Sequence, residues 1–145
     1  MLTKILWRYN GILKSLFGSS NSKKNLLDNR KELRTKTEKL RSENKAWESE
    51  FKRITELRKK AQQLEKEKKI DGAIKVYLES LKFSDNSSRL KFNNYSFDIQ
   101  RIAILLSKTK QNEFLKSFLQ EKIESYPNEK DSENWKKRLY KIDKS

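Results

Sequence analysis

The side chains able to do chemistry in this sequence are chiefly carboxylates, amines and guanidiniums, because it contains neither cysteine nor histidine. That removes disulfides, thiolate nucleophiles, most zinc sites and the usual general base together. A carboxylate pair can still do acid–base work, but only inside a pocket, and the 20 acidic residues read as spread along solvated helix faces. No spacing supplies a nucleophile, a base and an orienting group at once. The expectation is therefore a protein that is not an enzyme and has no cofactor, no metal and no small-molecule substrate.

What remains is binding chemistry, and it is cationic. Lysine and arginine number 35, and the formal net charge is +15. Residues 1–69 hold 20 basic and 9 acidic side chains, whereas residues 70–145 hold 15 and 11. The positive field is thus concentrated in the first half, where it suits phosphate-bearing surfaces such as lipid headgroups or nucleic acid. The plain alternative is a lysine-rich, well-solvated set of helices.

The elements that position these groups read as helices. The chain has 145 residues, enough for one ordinary domain; it is 34% hydrophobic and 38% charged, with three glycines and one proline. So few breakers and so narrow an apolar share favour an all-α fold with long helices, each burying one stripe. In residues 1–18, Leu2, Ile5, Leu6, Tyr9, Leu13, Leu16 and Phe17 recur at three- and four-residue steps, with Lys4, Arg8 and Lys14 on other faces and no acid before Asp28. This amphipathic helix is too short and too charged to span a bilayer. Three readings stay open for it: an anionic membrane surface, docking on the rest of the protein, or an organellar presequence. Residues 19–25, with Ser19, Ser20, Asn21 and Ser22 behind Gly18, read as a linker. Residues 26–53 read as a long charged helix whose stripe continues towards Lys69. Leu26, Leu33, Leu40, Trp47, Ile54 and Ala61 repeat every seven residues, a sparse version of a coiled-coil seam. A kink or break is expected near Ser42–Lys45.

An internal repeat organises residues 54–129. A shift of 42 residues lays Leu57, Ala61, Leu64, Tyr77, Leu81, Asp85 and Asn86 onto Ile99, Ala103, Leu106, Leu119, Ile123, Pro127 and Asn128. Each unit, 54–87 and 96–129, reads as helix–turn–helix, with residues 88–95 lengthening the second unit's first helix. The stretch from Lys69 to Ser87 resembles the second helix of a tetratricopeptide repeat. Ala73, Tyr77 and Leu81 stand at that family's small–aromatic–aliphatic spacing, and Ala61 stands at its small helix-crossing position. Pro127 occupies the closing place. Leu57 and Ile99 stand where the family usually has tryptophan, Lys60 replaces an aliphatic residue and Leu115 replaces an alanine. Residues 130–145 read as a capping helix and tail, started by Asp131 or Ser132 and carrying Trp135, Leu139, Tyr140 and Ile142.

The resemblance implies a scaffold that holds another protein or peptide in the groove lined by each unit's first helix. It implies Arg58, Gln62, Gln100, Arg101 and Lys108 as the groove residues, a set that suits an acidic or carboxylate-ended partner. The functional expectation is a non-catalytic interaction adaptor, intracellular and cytoplasmic. It would sit on a membrane surface through Leu2, Ile5, Leu6, Leu13, Leu16 and Phe17 together with Lys4, Arg8 and Lys14. The alternative is a nucleic-acid or ribonucleoprotein binder using the basic helix 23–69, although that segment interleaves nine acids with its cations and carries no nucleic-acid motif.

Overall fold

The computed structural model describes residues 20–144. Among the described residues there are five α-helices and no strand: α1 (Ser20–Lys66), α2 (Ile70–Asp85), α3 (Phe92–Lys108), α4 (Asn112–Ser125) and α5 (Lys130–Lys144). The all-α expectation holds. The proposed membrane helix, with Leu2, Lys4, Ile5, Leu6, Arg8, Leu13, Lys14, Leu16 and Phe17, lies outside the described residues. None of the described helices is long and apolar enough to cross a membrane.

The chain divides into two compact units after Ala46. In the first, residues 20–46 are helical throughout, which corrects two expectations. The linker placed at 19–25 is helix from Ser20 onward, and Ser42–Lys45 carries no break. After Gly18 the sequence has neither glycine nor proline until Gly72, so nothing there forbids the helical φ or removes a backbone donor. Thr35 and Thr37, weak helix formers, donate their hydroxyls back to the carbonyls of Lys31 and Leu33 at 2.9 and 2.7 Å. Lys36 pairs with Glu32 one turn earlier at 2.9 Å, an exposed contact worth about 0.3–0.5 kcal/mol.

The second unit holds the core. Ile54, Leu57 and Ala61 of α1 pack with Ala73, Tyr77 and Leu81 of α2, with Ile99, Ile102, Ala103 and Leu106 of α3, and with Leu115 and Leu119 of α4. Ala61 and Ala103 are completely buried, as are Tyr77 and Leu119. Glu50 of α1 meets Ser87 just past the end of α2, and Arg53 meets Glu79 within it, so the two helices run antiparallel.

The turns repeat bond for bond. At the end of α1, Lys68 adopts the left-handed conformation (φ 60°); its N–H donates to Glu65 O at 3.0 Å and the Lys69 N–H to Leu64 O at 2.9 Å. At the end of α3, Lys110 does the same (φ 56°), with Lys110 N–H to Ser107 O at 3.2 Å and Gln111 N–H to Leu106 O at 3.0 Å. Both are Schellman closures, which satisfy the last helical carbonyls. Each places a lysine where glycine is usual, and the two lysines are 42 residues apart. The periodicity read from apolar side chains is thus also present in the backbone.

Two further expectations are corrected. Residues 88–95 do not all lengthen α3, which starts at Phe92. The Ser87 hydroxyl accepts the N–H groups of Arg89 and Leu90, and the Asn94 side-chain oxygen accepts that of Lys91, so three backbone donors are satisfied in a loop. Neither Asp131 nor Ser132 starts α5: both lie inside it, and Ser132 is buried with its Oγ unpartnered because it shares a face with Trp135 one turn on. Tyr140 faces solvent. Trp135 instead packs edge-on against Phe92 at 6.1 Å, beside Tyr95 and Tyr126. An aromatic pair of this kind adds about 0.5–1.5 kcal/mol beyond burial. Lys116 and Asp143 join α4 to the end of α5 at 2.6 Å.

Candidate functional site: a cationic groove on α1 and α3

Two carboxylates on the helix faces where α1 and α3 meet organise this region. Asp98 is fully buried. It accepts Arg58 Nε at 2.9 Å and the Ser80 hydroxyl at 2.8 Å, so α1, α2 and α3 share one charge. The second terminal nitrogen of Arg58 donates to the Asn94 carbonyl at 2.9 Å, and the guanidinium lies 5.0 Å from the centre of the Phe97 ring. About two turns along α1 from Arg58, Glu65 accepts the Arg101 guanidinium through both Nε and a terminal nitrogen, and the Tyr77 hydroxyl at 2.6 Å. Burial pushes the Glu65 carboxyl up, but the Arg101 and Tyr77 hydrogen bonds outweigh it and hold the group below the usual glutamate range. Burial, then the Glu65 contact, pushes the Tyr77 hydroxyl well above the usual phenol value, so it remains a donor. The hydrogen bond to Glu65 raises Arg101 further.

The Glu65–Arg101 pair lines a depression of about 570 Å³. Ile70, Phe97 and Leu105 supply apolar lining, and Gln62, Lys66 and Lys108 supply polar lining beside the Glu65–Arg101 pair. Lys66 and Lys108 are exposed and basic, and Phe97 is itself 40% exposed. The site offers an apolar contact flanked by amines, with one amide.

Of the groove residues expected from sequence, Gln62, Arg101 and Lys108 are brought together here. Arg58 and Gln100 are not. Arg58 is tied to Asp98 and Asn94, because a buried carboxylate needs a partner more than the groove needs another cation. Gln100 lines a separate depression of about 330 Å³ with Ile104, Asn134 and Arg138. One residue is a step of about 100° around a helix, so Gln100 and its neighbour Arg101 face different ways.

Glu65, Lys66, Ile70, Phe97 and Asp98 were missed. Asp98 had a signal: it lies within the apolar series Tyr95, Ile99, Ile102, where an acid is out of place unless paired. Glu65 had none, since it stands among lysines on a charged stretch. Among the described residues, no group of three or more carboxylates could hold a metal ion.

No family model matches the chain, and no curated protein or solved structure is significantly similar to it.

Proposed function

We propose that this chain is a non-catalytic, tetratricopeptide-like scaffold that binds a short acidic peptide segment of another protein in the groove on α1 and α3. The observation that carries the reading is the groove itself: it is lined mainly by the first helix of each repeat unit, and it pairs an apolar lining with amines. The equivalent turns at Lys68 and Lys110, and the burial of Ala61 and Ala103 at matching positions, support the repeat assignment. Phe97, itself exposed, would receive an aliphatic or aromatic side chain, while Lys66 and Lys108 would hold carboxylates beside it. The Glu65–Arg101 and Asp98–Arg58 pairs fix the two helices and so the width of the groove.

Fluorescence anisotropy with a labelled peptide of alternating acidic and leucine residues, ending in a free carboxylate, tests this. Replacing both lysines (Lys66→Glu with Lys108→Glu) should weaken binding by about tenfold or more. The melting temperature should stay put, because both side chains face water. Unchanged binding in that double variant, or equal displacement of the peptide by duplex DNA, would rule the reading out.

A further inference from the structure

The first unit carries a second, independent surface. Leu26, Leu33 and Leu40 recur every seven residues along α1 and are 61%, 63% and 60% exposed, with Leu27 beside the first at 56%. On a heptad wheel the positions flanking this row hold Lys23, Arg30, Arg34, Lys36 and Arg41 against one acid, Glu43. The far side of the helix holds Lys24, Lys31, Lys39 and Lys45, nearly balanced by Asp28, Glu32 and Glu38. Positive charge is therefore gathered beside the leucines, and all three arginines of the segment are there. Arginine makes planar, two-pronged contacts with carboxylates and sheds water more readily than lysine, so its placement marks a face suited to carboxylate contact. Among the described residues, none of the three has a carboxylate within ion-pairing distance.

We infer that this face receives an acidic amphipathic helix from another protein. The partner's apolar row packs on Leu26, Leu33 and Leu40, and its flanking carboxylates reach Arg30, Arg34 and Arg41. Flanking charges are what select the partner and orientation in paired helices. A second copy of this chain fits poorly. It would set five cations against five, and Lys23, Arg30, Thr37 and Asn44 would fill the other seam row of each copy. A lipid surface wants a broad apolar face with aromatic residues, whereas residues 20–46 offer one narrow row and no aromatic. A nucleic acid would leave the leucines in water.

The test uses the full chain and a labelled synthetic helix with leucine at both seam positions of each heptad and glutamate at the flanks. A scrambled peptide of identical composition serves as control. Saturable binding is expected, stronger than for the scramble. It should fall about tenfold or more in Leu33→Gln with Leu40→Gln, where glutamine keeps a helix propensity close to that of leucine. In Arg34→Glu with Arg41→Glu, which retains every leucine, preference should pass to a peptide with lysine at the flanks. The groove variant (Lys66→Glu with Lys108→Glu) should bind the helix as the parent does, which separates this surface from the proposed function. Equal binding of the scrambled peptide would overturn the inference. So would a leucine-dependent dimer in sedimentation, or leucine-dependent capture by phosphatidylserine vesicles or duplex DNA in preference to the peptide.

Discussion

One heptad series runs through α1 and meets two environments. Leu26, Leu33 and Leu40 are about three-fifths exposed, whereas Ile54 and Ala61, in the same phase, are completely buried. The series alone does not tell these regions apart; the companion positions do. Around Ile54 and Ala61 stand Phe51, Leu57 and Leu64, which broaden the row into a face that α2 and α3 can cover. Around Leu33 and Leu40 stand Arg30, Arg34, Lys36 and Arg41, so the row stays narrow and wet. Periodicity marks an apolar face, and the flanking chemistry decides whether the chain's own core covers it.

The comparison can be broken most forcefully in the second unit. Arg58→Ala leaves Asp98 buried without its cation and should cost about 3–5 kcal/mol in chemical denaturation. A loss below about 1 kcal/mol would mean that the Arg58–Asp98 contact is not formed as described. Next in size, Ala61→Phe should cost about 1–3 kcal/mol by overpacking, with a lower melting temperature. A variant that melts with the parent would place Ala61 outside the core.

Acid should act on the same unit. The folded-state pKa of Glu65 is depressed, so its contribution is present at neutral pH and above the unfolded value. That contribution is lost as pH falls through and below the usual glutamate range. Thermal melts from neutral to acidic pH should show this decline, and Glu65→Gln should flatten part of it. Smaller again, Lys68→Gly and Lys110→Gly should each stabilise by about 0.5–1 kcal/mol, since glycine adopts positive φ without a side-chain clash. The smallest effect belongs to the first unit: Leu33→Gln with Leu40→Gln should move the stability of the chain by less than about 0.5 kcal/mol. A larger loss there would mean the leucines are covered within the chain.

Legibility in the sequence followed the same divide. Helices, the 42-residue interval and the buried residues Ala61, Tyr77, Ala103 and Leu119 could be read because apolar side chains at helical steps have one favourable place to go. The turns could not. Lysine has no intrinsic liking for the left-handed region, and only the capping bonds from Lys68, Lys69, Lys110 and Gln111 reveal why it is tolerated. Serine and asparagine at 19–25 suggested a linker, but their bias against helix is weak and nothing stronger stood beside them. In the groove, Gln62, Arg101 and Lys108 were recoverable from helical phase, while Glu65 was hidden by the many solvated charges around it. Which of two adjacent residues, Gln100 or Arg101, faces the groove depends on the rotation of α3. That is set by its packing on α1 and α2 rather than by α3 alone.

The paired closures at Lys68 and Lys110 carry a consequence for how such a chain can grow. Ile70 follows the first closure and Gln111 completes the second, with Lys69 and Gln111 making equivalent backbone bonds. The stretch from Ile70 to Gln111 is thus a cassette whose two ends have the same local geometry. A gene encoding this cassette twice in tandem would join Gln111 to a second Ile70 through a turn of the kind already present between Lys69 and Ile70. Growth by duplication would then add one more helix pair and lengthen the α1–α3 face, with no new kind of joint to invent.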